Sequence, residues 1–207
     1  MKIISPYFKI ESNINSDEIL GIIEKAGRTA YKSEDKITSE SAKEFVSMIT
    51  NRGHYSVIEH SFITVRVICD RGVTHEIVRH RLASYTQEST RYCNYTQGKF
   101  GNEITVIKPI FWNENDEKYK VWKDSLKYSE KSYNKLIALG ASPQEARSVL
   151  PNSLKTEIVI TMNLREWKHF FNLRTAKNAH PQMREIAIPL LKEFQDRIPI
   201  IFDDIKI

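Results

Sequence analysis

The segment RHRLASYTQESTRY (79 to 92) carries a dense group of basic and hydroxyl side chains. Its basic residues stand within thirteen positions that hold a single acid, Glu88; they are Arg79, His80, Arg81 and Arg91. A guanidinium presents its N–H donors in a planar fork that matches phosphate oxygens, and nearby hydroxyl groups add further donors. The segment therefore indicates an anion site, although an R-H-R tripeptide taken alone is more often a solvated basic surface.

A second polar cluster, GHYSVIEH (53 to 60), brings His54, Ser56 and Glu59 close together in sequence. Serine, histidine and an acid form the catalytic triad of many hydrolases, so a Ser–His hydrolase centred on His54 and Ser56 is one hypothesis. No nucleophile elbow surrounds Ser56, and capping or turn roles explain the same residues more simply. A serine-directed covalent reagent discriminates the two interpretations, because it would inactivate only the hydrolase.

The segment HEIVRH (75 to 80) approaches the H-E-x-x-H pattern of zinc hydrolases, in which two imidazoles lie four residues apart on one helix face. Here the histidines are five residues apart. That spacing turns the second ring about 500° around the helix, well away from the first. Cys69 and Cys93 form no C-x-x-C pair and are assigned no function. We therefore predict no metal site.

Arg174 stands in line with an apolar stripe. Trp167, Phe170 and Phe171 share one face of a predicted helix, and Arg174 follows Trp167 by seven residues on that face. A guanidinium among apolar side chains costs desolvation free energy unless an anion or polar ligand pairs with it. An arginine that snorkels to solvent at the helix C-terminus explains the position equally well. The stripe alone leaves both interpretations open.

The composition is that of an ordinary globular protein, and its 207 residues suit one domain, which we assign to residues 1–207. The net charge of +5 favours anionic partners, and with only 7 glycines a glycine-rich phosphate loop is not expected. The sequence shows no basic leader followed by an apolar run and no apolar stretch of about 20 residues. We therefore expect a cytoplasmic protein with reduced cysteines and no membrane partner.

Hydrophobic periodicity predicts more helix than strand, without the βαβ rhythm of a doubly wound sheet. The predicted helices are one capped by Ser16, one from about Ala42 to Gly53, a short one over 72–81, a long one within 114–139, one beginning at Pro143, one capped by Asn163 in a capping box with Glu166, and a last one through Met183 and Phe194 that is kinked or broken at Pro189. Strands are predicted over 61–70, 103–110 and 156–162. The predicted fold is α+β, with a mostly antiparallel or mixed central sheet flanked by helices.

Four blocks of this sequence together resemble one enzyme family. Arg79, His80 and Arg81, followed after seven residues by Ser89, resemble the signature of flavin-dependent thymidylate synthases. The Arg-Tyr pair that follows in the family stands here at 91 and 92, and the upstream H-x-S-x-x-E-H element stands at 54–60. ARSVLP (146 to 151) and NLREWKHFFNLR (163 to 174) complete the set in the family's order. By this resemblance the chain is identified as a member of the family.

The resemblance implies a methyltransferase that makes dTMP by reductive methylation of dUMP, without a protein nucleophile. It implies FAD as cofactor, 5,10-methylenetetrahydrofolate as carbon donor and NADPH as the source of electrons. A homotetramer with active sites shared between chains is implied as well, with no nucleic-acid partner. A nucleic-acid-binding module, motivated by the positive charge, is the alternative from another class. Its affinity would fall by orders of magnitude between about 50 and 200 mM salt.

The resemblance also assigns roles to individual residues. Contacts with FAD are implied for Ser56, Arg79, His80, Arg81, Gln87, Asn163, Arg165 and His169. Contacts with dUMP are implied for Glu76, Arg79, Gln87, Glu88, Ser89, Thr90, Arg91, Arg147 and Arg174, and His54 is placed in the folate and flavin pocket. Arg174 is expected to carry the chemistry, because its charge beside the uracil ring would stabilise developing negative charge. The sequence departs from the commonest family residues at Glu76, Thr86 and Gln87.

Overall fold

The computed structural model describes residues 1–207, apart from the side chain of Lys99. In chain order its helices and strands are β1 (Lys2–Ile4), β2 (Tyr7–Ile10), α1 (Ser16–Thr29), α2 (Ser41–Asn51), β3 (Phe62–Asp70), α3 (Arg71–Ile77), β4 (Ala83–Gln87), β5 (Thr105–Ile107), α4 (Glu117–Ala138), α5 (Pro143–Ala146), β6 (Lys155–Asn163), α6 (Leu164–Arg174), α7 (Pro181–Arg197) and α8 (Pro199–Phe202). Within this described part, no helix combines the length and apolarity that a membrane span needs.

A four-stranded antiparallel sheet with the strand order β2-β3-β6-β4 is flanked by helices. The two predicted strands at 61–70 and 156–162 form its centre as β3 and β6. Buried and half-buried residues alternate along the whole of β6, which is the period of two expected of a strand. The prediction of an α+β fold with a mostly antiparallel sheet flanked by helices is therefore confirmed. A second sheet pairs β1 with β5 in parallel.

The chain packs as two compact units, each made of three sequence segments. The first unit consists of Met1–Tyr7, Val67–Arg79 and Thr86–Ile158, and the second consists of Phe8–Arg66, His80–Tyr85 and Val159–Ile207. The assignment of one domain to residues 1–207 stays a prediction.

The core of the first unit is built around α4 and β5. Tyr119, Leu126 and Tyr133 are buried on α4 at intervals of seven residues, which is two helical turns and therefore one face. The ring of Tyr133 packs at 5.7 Å from the ring of Tyr95, in a cluster that also contains Val106. This apolar face accounts for the long helix predicted within 114–139, which the structure confirms with slightly shorter ends.

The core of the second unit is aromatic. Trp167, Phe171 and Phe194 are fully buried and their rings lie 5.0 to 5.7 Å apart, at separations typical of favourable ring pairs. The indole Nε1 of Trp167 donates to the carbonyl of Ile63 at 3.0 Å and so ties α6 to β3. Helix α7 continues through Pro189, where a kink or a break was predicted, because buried residues on both sides hold the helix against the core.

Three local predictions were wrong in their boundaries. Helix α1 is capped by Asn15, whose Oδ1 accepts from the backbone N–H of Glu18 at 3.3 Å, and not by Ser16. The strand predicted over 103–110 is formed only at Thr105–Ile107. The helix predicted over 72–81 ends at Ile77, so the R-H-R tripeptide lies in the connection that leads to β4. Strand β4 was not predicted, because its five residues ASYTQ include no branched aliphatic residue, the type that most often marks a strand.

Candidate functional site

Helix α6 begins directly where β6 ends, at Asn163. The Oδ1 atom of Asn163 accepts from the backbone N–H of Glu166 at 2.8 Å, which is the predicted N-cap. The predicted capping box would also turn the Glu166 carboxylate back toward Asn163. Instead, Oε1 of Glu166 lies 3.1 Å from Nδ1 of His80, and the carboxylate is almost fully buried. The side chain of Asn163 thus fixes the start of α6, while the carboxylate of Glu166 contacts His80 in the connection between α3 and β4.

His80 is the centre of a group of side chains within the second unit that we call the His80 cluster: His80, Tyr85, Glu166, His169, Phe170 and Arg174. The Nε atom of Arg174 donates to Nε2 of His80 at 3.1 Å, while Nδ1 faces Glu166. The imidazole packs against the rings of Phe170 and His169, with centroids 5.0 and 5.4 Å away. The hydroxyl of Tyr85 donates to the backbone carbonyl of His80 at 2.6 Å. Backbone, ring and both ring nitrogens of His80 are thus held by protein groups.

These partners determine the tautomer of His80. A guanidinium has donors and no acceptor, so Nε2 must accept from Arg174 and the single ring proton must reside on Nδ1. Nδ1–H then donates to the carboxylate of Glu166. Burial, together with the charges of Arg174 and His169, lowers the pKa of His80 to about 4, so the ring is neutral at pH 7. The contact between His80 and Glu166 is therefore a hydrogen bond to a neutral imidazole.

The acids of the His80 cluster are shifted by the same burial. Burial raises the pKa of Glu166, although the nearby His169 opposes the change. Burial and the carboxylate of Glu166 raise the pKa of Tyr85 to about 12 against the opposing charge of Arg174. Tyr85 is therefore a protonated hydrogen-bond donor at any pH near neutrality.

Three residues of the His80 cluster are of types that bind metal ions. His80, Glu166 and His169 each offer one ligand atom, and these atoms lie within 4.8 Å of one another. However, the imidazole of His80 already accepts a hydrogen bond from Arg174, so a metal ion on that ring would sit close to a guanidinium. The arrangement suits the positioning of Arg174 better than the binding of a cation, and the absence of a metal site stays a prediction.

A cavity of about 750 Å³ lies within the second unit, in the size range of small-molecule sites. His54 and Ser56 line it at the turn Tyr55–His60, and both are exposed. Further lining residues supply cations, among them Arg28 and Arg52, and apolar surface. The structure thus places His54 and Ser56 on the wall of one cavity, at a 3-10 helix that the side chain of His54 does not cap.

A second cluster of charged groups belongs to the first unit and is centred on Glu88. The Nζ atom of Lys155 donates to Oε2 of Glu88 at 2.6 Å, and the hydroxyl of Tyr95 donates to Oε1 at 3.0 Å. Lys155 also lies 3.3 Å from Glu157. Burial works to lower the pKa of Lys155, but the hydrogen bonds and charges of Glu88 and Glu157 outweigh it and raise that pKa. Glu88, Tyr95 and Lys155 line a cavity of about 180 Å³ in that unit.

The neighbours of Glu88 in the signature segment are held from within the first unit. The amide of Gln87 donates to the hydroxyls of Thr74 at 3.1 Å and Thr156 at 3.2 Å. The guanidinium of Arg147 lies 3.5 Å from the hydroxyl of Thr90, and Arg147 itself is exposed. Gln87 is thus a structural link, whereas Arg147 and the exposed Arg91 present guanidinium groups to solvent.

The residues to which the resemblance assigns roles divide between the two units. The first unit holds Glu76, Arg79, Gln87, Glu88, Ser89, Thr90, Arg91 and Arg147, and the second holds His54, Ser56, His80, Arg81, Asn163, Arg165, His169 and Arg174. Apart from Arg174, the residues assigned to dUMP all belong to the first unit. The residues assigned to FAD belong to the second unit, apart from Arg79 and Gln87. The individual contacts stay predictions.

Sequence reasoning missed four residues that complete these clusters. Tyr85, Tyr95 and Lys155 were not singled out, and Glu166 was considered only as a capping residue. No sequence signal separates a capping glutamate from one that bonds a buried histidine, because both stand in the first turn of the helix. For Lys155 the available signal was Glu157, which stands two residues further along β6 and therefore on the same face of the sheet.

The structure of a UMP/dUMP methylase, PolB from Streptomyces cacaoi, bound with 5-Br dUMP, is similar to this chain with a TM-score of 0.80. The match covers 98% of this chain and 96% of that one at 22% sequence identity, a likeness that shows the fold alone.

Sequence comparison adds relatives with names. A protein of Pyrococcus abyssi (strain GE5 / Orsay) named flavin-dependent thymidylate synthase is 37% identical over 167 residues, covering 80% of this chain and 68% of the relative. Proteins with the same name from Pyrococcus furiosus (36% identity, 87% of this chain, 71% of the relative) and Geobacter sulfurreducens (32% identity, 86% and 78%) are also similar. The family model described as thymidylate synthase complementing protein matches residues 14–200. Because this match takes in both units and the whole His80 cluster, the chain belongs to the thymidylate synthase complementing protein family.

Proposed function

We propose that this protein is an FAD-dependent thymidylate synthase that converts dUMP to dTMP by reductive methylation. In this reaction 5,10-methylenetetrahydrofolate donates the carbon and NADPH supplies the electrons. The relatives named flavin-dependent thymidylate synthase and the structural neighbour bound with 5-Br dUMP support the proposal. The observation that carries it in this chain is the guanidinium of Arg174, held by a neutral histidine at the end of an aromatic helix face.

The phosphate of dUMP needs a concentration of hydrogen-bond donors and positive charge. In the first unit the exposed Arg91 and Arg147 supply the charge, and Thr90 lies within 3.5 Å of Arg147. Charge-assisted hydrogen bonds from arginine to phosphate are among the strongest available in proteins. Ser89 belongs to this set as a binding residue and not as a nucleophile, because within the described part of the chain its hydroxyl bonds to no base and accepts from the backbone N–H of Arg91 at 3.3 Å.

Arg174 is the residue that we assign to the chemistry. Attack on the uracil ring places negative charge on its nitrogen and carbonyl oxygens, and a nearby fixed positive charge stabilises that charge. Because Nε of Arg174 is bonded to His80, a contact with uracil would come from the terminal nitrogens. The guanidinium is half-buried, so water screens its charge less than it would at an exposed site.

The donors of the second unit fit a dinucleotide cofactor. The cavity lined by His54 and Ser56 also contains the cations Arg28, Lys36 and Arg52, which suit a pyrophosphate, and apolar side chains that suit a ring system. Of the residues that the resemblance assigns to FAD, Ser56, Arg81, Arg165 and His169 are exposed in this chain and would hold the cofactor. When bound and reduced, FAD supplies the hydride that completes the methyl group.

Both ring nitrogens of His80 are already bonded within the second unit, so an FAD contact by His80 would use the ring edge or the backbone. Its main contribution in this proposal is to hold Arg174. The homotetramer and the cytoplasmic location belong to the same proposal, and the absence of a nucleic-acid partner is expected with them.

An absorbance spectrum and a product assay test the proposal together. The purified protein, supplied with FAD and freed of excess by gel filtration, is expected to show flavin bands. With dUMP, 5,10-methylenetetrahydrofolate and NADPH it is expected to release dTMP, and omission of any one of the three should stop the reaction. A colourless protein that does not bind added FAD would refute the proposal.

A further inference from the structure

The carboxylate of Glu166 takes no part in capping its own helix, α6. Asn163 caps α6 through its side chain, and Glu166 contributes to that cap only its backbone N–H. The Glu166 side chain is 9% exposed and points instead at Nδ1 of His80, 3.1 Å away. Burial of a carboxylate costs free energy that an exposed position in the first turn would have avoided. The cost indicates that the contact with His80 has a role of its own.

We propose that Glu166 is a positioning residue that holds His80 in the Nδ1–H tautomer, so that Nε2 accepts from Arg174 and orients its guanidinium. The effect of Glu166 on turnover rests on the function proposed above, whereas its effect on the tautomer of His80 does not. The three residues form one line of hydrogen bonds, from the carboxylate through the imidazole to Nε of Arg174.

The tautomer matters because the other one would break this line. If the ring proton of His80 moved to Nε2, two N–H groups would face each other across 3.1 Å and Arg174 would have to turn away. A neutral imidazole in water has both tautomers, and its hydrogen-bond partners decide between them. Glu166 accepts at Nδ1 and therefore selects the form that accepts at Nε2.

The remaining contacts of His80 fix its ring and its backbone. The position of the ring proton is therefore what its hydrogen-bond partners still decide. The ring lies between Phe170 and His169, and Tyr85 holds the backbone carbonyl. The titratable or charged groups in these contacts are Glu166, His169, Arg174 and Tyr85. Of these, Glu166 alone accepts at a ring nitrogen of His80, which makes it the residue to change.

A second buried glutamate of the same unit, Glu24, has its burial compensated by a direct ion pair. Glu24 has a side chain that is 2% exposed, and its Oε1 bonds directly to Nε of Arg28 at 2.7 Å. Its other oxygen accepts from the hydroxyl of Ser41 at 3.0 Å. Direct ion pairing compensates its burial. Glu166 bonds instead to the neutral imidazole of His80, a partner without a compensating charge.

Nitrogen-15 NMR of histidine-labelled protein tests the tautomer without any assay of activity. The wild-type signals of His80 are expected to show a protonated Nδ1 and an unprotonated Nε2. Glu166→Gln should keep this form, because the glutamine carbonyl still accepts, whereas Glu166→Leu should populate both tautomers. A protonated Nε2 in the wild type would overturn the proposal even if neither variant folds. Signals of His80 and His169 that shift on addition of Zn²⁺ alone would also overturn it, in favour of a metal site.

Turnover then tests the consequence for Arg174. In Glu166→Leu the kcat for dTMP formation is expected to fall about tenfold or more, as misplaced catalytic groups do, while FAD content stays at the wild-type level. Glu166→Gln should recover most of that loss, and Glu193→Gln, which changes an exposed carboxylate paired with Arg197, should leave kcat unchanged. A full kcat in Glu166→Leu with mixed tautomers would refute the positioning role. If the wild type makes no dTMP, the proposed function fails, and the NMR result still decides the tautomer.

Discussion

The Nε atom of Arg174 donates to Nε2 of His80 across 3.1 Å, so a permanently charged side chain is held by a histidine that must stay neutral. A protonated His80 would present a second N–H and a second positive charge to the guanidinium. The contact between these two residues therefore depends on pH, and the fold around them should share that dependence.

We expect the protein to lose stability as the pH falls from about 6.5 to about 4. The pKa of His80 is about 4 in the fold, against 6.5 for an ordinary histidine, so in this interval the unfolded chain binds more protons. The contribution of neutral His80 to the free energy of unfolding is fully present above pH 6.5. It is about 3 kcal/mol and is lost as the pH falls to about 4. Urea unfolding at several pH values measures it.

The control for this titration is His80→Gln. Glu166, whose pKa is raised by burial, titrates in the opposite sense, and the variant retains Glu166 while it removes the histidine. The free energy of unfolding of His80→Gln should therefore fall less steeply than that of the wild type between pH 6.5 and 4. Equal slopes would show that His80 is not the group responsible.

Lys155→Met should destabilise the first unit. The substitution leaves the carboxylates of Glu88 and Glu157 without the cation they share, and loss of one partner from a largely buried pair costs about 3 kcal/mol. The midpoint of urea denaturation reports this loss. Lys127→Met, which removes the cation of an exposed pair with Asp124, is the control and should leave the midpoint unchanged. Equal midpoints in the two variants would argue against the buried pair.

Arg147→Ala should weaken dUMP binding while the flavin stays bound. Loss of a charge-assisted hydrogen bond to phosphate costs about 1.5 to 3 kcal/mol, which corresponds to roughly a 10- to 100-fold rise in the KM for dUMP. Arg197→Ala is the matched control, because Arg197 is another exposed arginine and pairs with Glu193 along its own helix. An unchanged KM in Arg147→Ala would remove that residue from the phosphate site.

Arg79→Ala should reduce retention of FAD. The residue is exposed and lies just past the end of α3, so its replacement leaves the fold intact. The ratio of flavin absorbance to protein absorbance after gel filtration is expected to drop well below that of the wild type. A variant that remains fully yellow would show that Arg79 does not contact the cofactor.

The parts of the fold with strong local patterns were predictable. The alternating residues of 61–70 and 156–162 gave the two central strands, and the apolar stripe of Trp167, Phe170 and Phe171 gave α6 with its aromatic core. Strand β4 was not predictable from its own sequence, because its five residues form a strand through pairing with a distant neighbour, β6. Tertiary contacts decide such short strands.

The candidate site divides in the same way. The basic residues of the signature segment predicted an anion site. The position of Arg174 in line with an apolar stripe also marked it as a candidate for ligand binding. The partner that explains Arg174 within this chain, His80, was not, because 94 residues separate the two in sequence. The role of Glu166 could not be predicted for a different reason. A glutamate that caps a helix and a glutamate that bonds a buried histidine can both stand in the first turn, so the sequence does not distinguish them.

Turnover of Arg174→Ala tests the central claim most directly. At saturating dUMP, 5,10-methylenetetrahydrofolate and NADPH, we predict that dTMP formation falls by about two orders of magnitude or more, the usual cost of removing one electrostatic contact with a transition state. The flavin absorbance of the variant should equal that of the wild type. A variant that binds FAD and makes dTMP at the wild-type rate would contradict the role of Arg174 in this account.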